Sequence, residues 1–407
     1  MGYTKTVIKG ISWMTGIRIA IRILTFVKTI VIARILNPAQ FGVFGIATLV
    51  LTFVEIITET GINIFLVQKK DNIDKYVDTA WITSITRGFI IGAIIFATSS
   101  GITRFFSISE INTIALISIV PIIRGFINPS IIKQQKELLF KREFYYRTVI
   151  FIFETAMSII FVIITNSVSG LIYAMILSAA FEAILSFFVI KPTPKLDFHI
   201  LRFKEIIHQG KWITGSTVFN YFYQSGDNIA VGKLLGTGSL GLYDMAYKIS
   251  LAPLSDFADT IAKVTFPVYV KISNNKDRLR RAFLKTFFFV FIIVVPIGLA
   301  ISLFAKDIII LVLGEKWIGA IPALQILGIF GAIRAISVFS NTFFLSIKKQ
   351  NIFMYINLVG LSVMAVLLIP LTINLGIFGA GLSALIGTLS TLPVIIFFIY
   401  KFFYYEK

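Results

Sequence analysis

The chain has 407 residues, of which 57% are hydrophobic and 14% charged, and its mean hydropathy is +0.89. Soluble domains carry about a quarter charged residues, so a water-soluble fold is excluded. The net charge of +18 would suit a nucleic acid, but the basic residues are dispersed through short loops instead of forming one basic region, and no nucleic-acid partner is expected.

Apolar runs of about 20 residues, each able to cross ~30 Å of hydrocarbon as a helix, recur along the whole chain. The pattern predicts twelve spans, at approximately 11–36, 41–67, 79–101, 111–132, 148–166, 168–190, 206–232, 239–270, 283–305, 319–347, 352–373 and 376–400. The first run is interrupted by Arg18, Arg22 and Lys28 and has no small-residue cleavage site, so it is expected to remain as a span and not to be removed as a signal. Both termini and alternate loops hold 25 Lys/Arg, whereas the opposite turns hold five, Arg34, Arg104, Lys233, Lys306 and Lys316. The positive-inside rule then places both termini in the cytoplasm. One missed or extra helix would scramble this alternation.

An offset of 199 positions, without a gap, lays Trp13 on Trp212, Thr15 on Thr214, Gly16 on Gly215, Arg34 on Lys233, Leu36 on Leu235, Gly42 on Gly241 and Phe44 on Tyr243. ARILNPAQFGVF (33–44) and GKLLGTGSLGLY (232–243) therefore read as one turn built twice. The chain reads as a duplication with halves 1–200 and 201–407, and Lys191 to Lys211 as the linker. Six spans per half is an even number, so the repeats are parallel, related by a pseudo-two-fold along the membrane normal. The expected fold is all-α and integral to the membrane, with twelve transmembrane helices as two parallel six-helix repeats around a central cavity.

Charges within spans are costly and face a bundle interior or a wet cavity. Eight are basic (Arg18, Arg22, Lys28, Arg87, Arg124, Lys248, Lys263, Arg334) and eight acidic (Glu55, Glu59, Glu154, Glu182, Asp227, Asp244, Asp256, Asp259). On the first span Thr15, Arg18, Arg22, Thr25 and Thr29 share one helical stripe, and on the second Thr48, Thr52, Glu55, Glu59 and Asn63 share another. Matching depths in antiparallel spans predict the pairs Arg18–Glu59 and Arg22–Glu55. These either staple two helices or leave the arginines facing a cavity where they meet an anionic headgroup. Arg124, in PIIRGFINP, has no carboxylate within helical reach of its own span. With Arg87 it is expected to be an unpaired cavity cation, with a snorkelling or cross-helix structural role as the alternative. On the eighth span Lys248, Asp256, Asp259 and Lys263 share a broad face, and Pro253 is expected to kink the helix. Pro121, Pro296 and Pro393 sit similarly within other spans.

Catalytic motifs are missing. The sequence has no GxxxxGK[ST], HExxH or GxSxG, and no cysteine. The two histidines, His199 and His208, fall in one loop and read as solvated, so neither an enzyme nor a metal site is expected.

The segments 33–68, beginning ARILNPAQFGVFGIATLV, and 226–249, GDNIAVGKLLGTGSLGLYDMAYKI, resemble the paired signature segments of Wzx-type polysaccharide flippases. That family lies within the superfamily that also holds multidrug and toxic-compound extrusion (MATE) carriers and lipid II flippases. The resemblance implies transfer of a polyprenyl-diphosphate-linked oligosaccharide, on an undecaprenyl or dolichyl carrier, from the inner to the outer leaflet of the cytoplasmic membrane. It implies a cationic cavity drawn, by residue type and depth, from Arg18, Arg22, Lys28, Arg87, Arg124, Lys248 and Arg334. Asp227 and Asn228 match the family's DN pair, and with Glu55 and Glu59 they are candidates for coupling to protons or sodium, with no other cofactor. The implied partners are lipid-linked oligosaccharide, membrane lipids, and polysaccharide polymerase and chain-length machinery. Many members carry two further C-terminal spans beyond the twelve expected here. A multidrug exporter of the same superfamily is the first rival, although its cavity should be acid-rich. A membrane glycan polymerase or glycosyltransferase is the second, and would want a sizeable loop.

Overall fold

A computed structural model describes residues 21, 24–60, 62, 66, 73–137 and 139–404, apart from the side chains of 135, 140, 207–216 and 220. Arg18, Arg22, Asn63 and the His208 side chain lie outside the described residues. Among the described residues there is no strand, and helices follow one another through short turns. The chain divides into two compact units, Met1–Phe222 and Tyr223–Lys407.

Unit 1 contains helices α1 (24–35), α2 (Pro38–Ile57), α3 (Asp74–Phe106), α4 (Ile111–Leu116), α5 (Ile119–Gly125), α6 (Ile132–Lys136), α7 (Phe140–Thr165) and α8 (Ser169–Val189), and the start of α9 (Ile200–Ile272). The turn before α2 is closed by a reciprocal cap. Asn37 Oδ1 accepts from the Gln40 N–H at 2.9 Å, Gln40 Oε1 accepts from the Asn37 N–H at 3.0 Å, and Pro38 fits the first helical position without losing a bond. At one end of the unit, Ile62, Leu66, Ile73, Ala80, Ile132 and Ile206 bury a common apolar cluster. The first arm of α9 is tied to α2 by Tyr221, whose hydroxyl donates to the Leu49 carbonyl at 2.8 Å.

The fourth expected span, 111–132, is not one helix. Pro121 has no N–H to give the Ile117 carbonyl, which instead accepts from Val120 N at 3.1 Å; Ser118 N reaches back to Ala115 at 3.2 Å. These i→i+3 bonds tighten the backbone between α4 and α5. Beyond α5, the buried Asn128 fixes the chain, its side chain donating to the carbonyls of Ile190 (3.2 Å) and Pro192 (3.0 Å).

Unit 2 holds the rest of α9, then α10 (Lys276–Leu303), α11 (Ala305–Val312), α12 (Ile321–Ser346), α13 (Gln350–Leu389) and α14 (Thr391–Tyr404). The backbone stays helical through Pro253, and the break in α9 falls at Gly236, with φ 81° and ψ 179°. Position 236 is 199 residues after Asn37, so the duplicated turn is closed in one unit by a capping side chain and in the other by a conformation reserved for glycine. Two other helix breaks use a positive φ. Asn166 (φ 47°) separates α7 from α8, and Gly376 (φ 62°) breaks α13. Close packing is repeated as well. A β-carbon on Gly88 of α3 would lie 2.4 Å from the Pro121 carbonyl oxygen of α5, and one on Gly298 of α10 would lie 2.7 Å from the Gly328 carbonyl oxygen of α12.

Seven helical stretches among the described residues are long and apolar enough to cross a membrane, one of them the 55-residue Gln350–Tyr404, which Gly376 interrupts. The two arms of α9 fall on the expected seventh and eighth spans and carry Asp227, Lys233, Asp244, Lys248, Asp256, Asp259 and Lys263. The chain is a multi-pass membrane protein.

Gly236→Ala should lower stability by about 1–3 kcal/mol, read as a fall in the melting temperature of the detergent-solubilised protein. Gly238→Ala, at a helical position with open space around it, should leave the melting temperature unchanged or raise it.

Candidate functional site

In unit 1 the carboxylates of the second span are gathered by arginines from other helices. Glu55 lies in the last turn of α2, and Glu59 four residues on. Arg124, at the end of α5, places Nη1 3.3 Å from Glu55 Oε1. Arg87, midway along α3, places Nη2 3.3 Å from Glu59 Oε2. Its guanidinium also donates to the Glu55 carbonyl at 2.6 Å and to Thr58 Oγ1 at 3.4 Å. Arg87 thus covers a terminal carbonyl of α2, where the helix dipole favours a cation. Neither arginine is the unpaired cation expected from the sequence. Their partners lie on another span, which a search along one helix cannot find. Glu55 and Glu59, assigned from the sequence to Arg22 and Arg18, meet Arg124 and Arg87; Arg18 and Arg22 themselves lie outside the described residues.

Lys28 on α1 reaches Glu154 on α7 at 2.9 Å and sits 5.5 Å from the Phe151 ring. Glu182 on α8 is within electrostatic reach of Arg124, Arg147 and Glu154. The side chains of these three ion pairs keep between 18% and 43% of their surface exposed, so a charged group arriving from outside could touch them. Glu154 and Glu182 were visible in the sequence as intramembrane acids, but nothing in their own spans named a partner.

Unit 2 meets the same problem with tyrosines. Asp227 is 2% exposed. It accepts from the Tyr243 hydroxyl at 2.8 Å, the Asn228 N–H at 2.8 Å and the Asn228 side chain at 3.3 Å. Arg334 on α12 donates to the Tyr247 hydroxyl at 3.1 Å and lies 5.6 Å from the Tyr223 ring and 5.5 Å from the Phe330 ring. Tyr223, Asp227, Phe330, Arg334 and Thr388 line a small pocket, with Gly360, Ala384 and Gly387 also on its wall. Lys248 is not part of that pocket lining. It pairs with Asp244, one turn away on its own helix, at 2.6 Å. The three tyrosines were missed in the sequence reading. Their spacing was a signal, since Tyr223 and Asp227, and Tyr243 and Tyr247, stand four residues apart on one helical face. Among the described residues no group of three or more metal-ligating side chains is gathered.

Charge reversal of one partner, Glu55→Arg or Arg124→Glu, should destabilise the protein by about 1–3 kcal/mol, and the double reversal should recover most of that loss in a thermal melt. Tyr243→Phe removes a donor from a buried carboxylate, so its melting temperature should fall by the equivalent of about 1–3 kcal/mol. Tyr247→Phe, which leaves Asp227 fully bonded, should cost less.

The family described as "Polysaccharide biosynthesis protein" matches residues 31–322. An uncharacterized membrane protein in the cps region of Klebsiella pneumoniae is 27% identical over 384 residues, 93% of this chain and 79% of that one. The lipopolysaccharide biosynthesis protein WzxC of Escherichia coli (strain K12) is 24% identical, over 83% of this chain and 69% of its own. The teichuronic acid biosynthesis protein TuaB of Bacillus subtilis (strain 168) is 24% identical, over 82% and 70%. Among solved structures, the inward closed conformation of the lipid II flippase MurJ superposes with a TM-score of 0.70 at 14% identity, covering 94% of this chain and 87% of that one. An inward-facing multidrug resistance MATE family transporter gives 0.67 at 15% identity, covering 92% of each. At such identities these two are likenesses of fold.

Proposed function

The chain belongs to the polysaccharide biosynthesis protein family, and on that footing we propose that it is a flippase rather than an enzyme. It carries a polyprenyl-diphosphate-linked oligosaccharide from the inner to the outer leaflet of the cytoplasmic membrane, for assembly of surface polysaccharide. The observation that carries this reading is the family match over residues 31–322; the partly exposed ion pairs of unit 1 supply cations for the headgroup. Both termini face the cytoplasm, and polymerase and chain-length machinery receive the product.

A diphosphate leaving water needs cations and hydrogen-bond donors in return for its hydration shell. Arg124, Arg87 and Lys28 are held ready, each neutralised by a carboxylate. An arriving diphosphate competes with Glu55, Glu59 and Glu154 for those cations. A displaced carboxylate is left with an uncompensated charge, which a proton or sodium ion relieves. Exchange of partners at the same arginines thereby couples the substrate to the driving ion, with no covalent step. Arg18, Arg22, Lys248 and Arg334 are further candidate cations for the headgroup, and Asp227 with Asn228 is a second candidate coupling site. Alternating access of the two halves carries the headgroup across while the polyprenyl tail stays in lipid.

In a strain lacking the gene, polyprenyl-diphosphate oligosaccharide should accumulate on the cytoplasmic leaflet. The intact gene should relieve the accumulation, and the Arg124→Ala variant should not, at equal expression. No accumulation, accompanied by new sensitivity to lipophilic cations, would overturn the flippase reading in favour of a drug exporter.

A further inference from the structure

Between α8 and α9 the chain of unit 1 runs through a segment that is neither a span nor a loose loop. Its backbone is tied to neighbouring elements of the same unit. The Asn128 side chain holds the carbonyls of Ile190 and Pro192, and Ser130 Oγ donates to the Pro192 carbonyl at 3.0 Å. Asp78 Oδ1 accepts from the Lys195 N–H at 2.7 Å, and Thr79 Oγ1 from the His199 N–H at 3.3 Å. Further on, the Tyr76 hydroxyl donates to Glu205 Oε2 at 2.7 Å, and Arg202 donates to the Lys75 carbonyl. The segment is thus bonded along the first turns of α3, from Lys75 to Thr79.

Four of its apolar side chains stay on the surface. Leu196 is 81% exposed, Leu201 76%, Ile200 54% and Phe198 45%. A patch of this kind is costly in water and marks a surface that meets an apolar partner.

Two observations identify that partner as lipid. The patch continues the exposed side of a span: on α8, Tyr173, Leu177, Ile184 and Phe188 fall on one helical stripe, and all four are exposed. On a membrane-spanning helix such a stripe meets the acyl chains. It ends at Phe188 and Val189, and Leu196 follows seven residues later. Depth is marked by a tryptophan. Trp81, two residues after Thr79 on α3, donates to the Phe126 carbonyl at 3.0 Å and packs on Phe187 of α8 with ring centroids 5.7 Å apart. Tryptophan collects where headgroups meet acyl chains, and the segment is bonded within one turn of it.

We propose that residues 195–201 form an interfacial anchor, whose Leu196, Phe198, Ile200 and Leu201 side chains insert among the lipids of the adjacent leaflet. The apolar side chains occupy the headgroup–acyl boundary, as those of monotopic segments do, while the backbone is held by protein. The anchor fixes the depth of the connection between α8 and α9, whatever the chain transports.

The wild-type chain has no cysteine, so single labels can be placed directly. Full-length Leu196→Cys and Leu201→Cys variants are spin-labelled and reconstituted in liposomes, after each is shown to melt as the wild type does. Phe188→Cys on the exposed stripe of α8 serves as the lipid reference, and Asn274→Cys, in the exposed polar turn before α10, as the water reference. Ile200→Cys replaces either leucine variant that fails the melt. Accessibility is read with oxygen, which partitions into lipid, and with a water-soluble nickel chelate. Labels at 196 and 201 should favour oxygen over nickel several-fold more than the label at 274, and should approach the label at 188. A ratio equal to that at 274 would place the patch in water and overturn the proposal. Exclusion of both reagents would overturn it too, since protein would then cover the patch. Dipolar broadening that vanishes when labelled protein is diluted with unlabelled protein would assign the patch to a second copy of the chain instead.

Discussion

Ionised side chains persist in hydrocarbon where an opposite charge or a hydrogen-bond donor meets them. In unit 1 that demand is met between helices: Glu55 by Arg124, Glu59 by Arg87, and Glu154 by Lys28. Much of the surrounding structure serves these meetings. Pro121 divides the fourth span, so that α5 runs separately from α4. Gly88 and Gly125 let α5 lie against α3 with no side chain between their backbones. Asn128 then anchors the segment beyond α5 to the carbonyls of Ile190 and Pro192. Arg124 stands at the end of α5, held from both sides.

Unit 2 handles its buried charge differently. Asp227 is satisfied by a tyrosine hydroxyl and by Asn228, and Arg334 by a tyrosine hydroxyl and two aromatic faces. Tyr243 occupies the place that Phe44 holds in unit 1, 199 positions earlier, so one added hydroxyl accompanies a buried carboxylate. Unit 1 thus holds partly exposed ion pairs that join different helices, and unit 2 a closed network of hydrogen bonds.

The helical class and the signature turns were legible because they depend on local sequence. The gapless offset pairs Asn37 with Gly236, and both prove to be helix boundaries. Apolar run lengths and alternating loop charge located most of the helices. The partner of each intramembrane charge was not legible, because Arg87 and Arg124 find their carboxylates across helices rather than along them. Proline gave an ambiguous signal: Pro121 disrupts its span, whereas the backbone passes helically through Pro253. Only the neighbours available to take the freed carbonyl distinguish the two. Tyrosines went unnoticed because aromatic residues in a membrane sequence are read first as apolar bulk.

The most direct measurement reconstitutes the purified chain in liposomes with a fluorescent polyprenyl-diphosphate saccharide and follows its arrival in the opposite leaflet. The account predicts translocation that needs the chain and is lost in Arg124→Ala, and that the Glu55/Arg124 double reversal, although folded, does not restore it in full. No translocation by the folded wild-type protein under proton or sodium gradients, or full activity in Arg124→Ala, would contradict it.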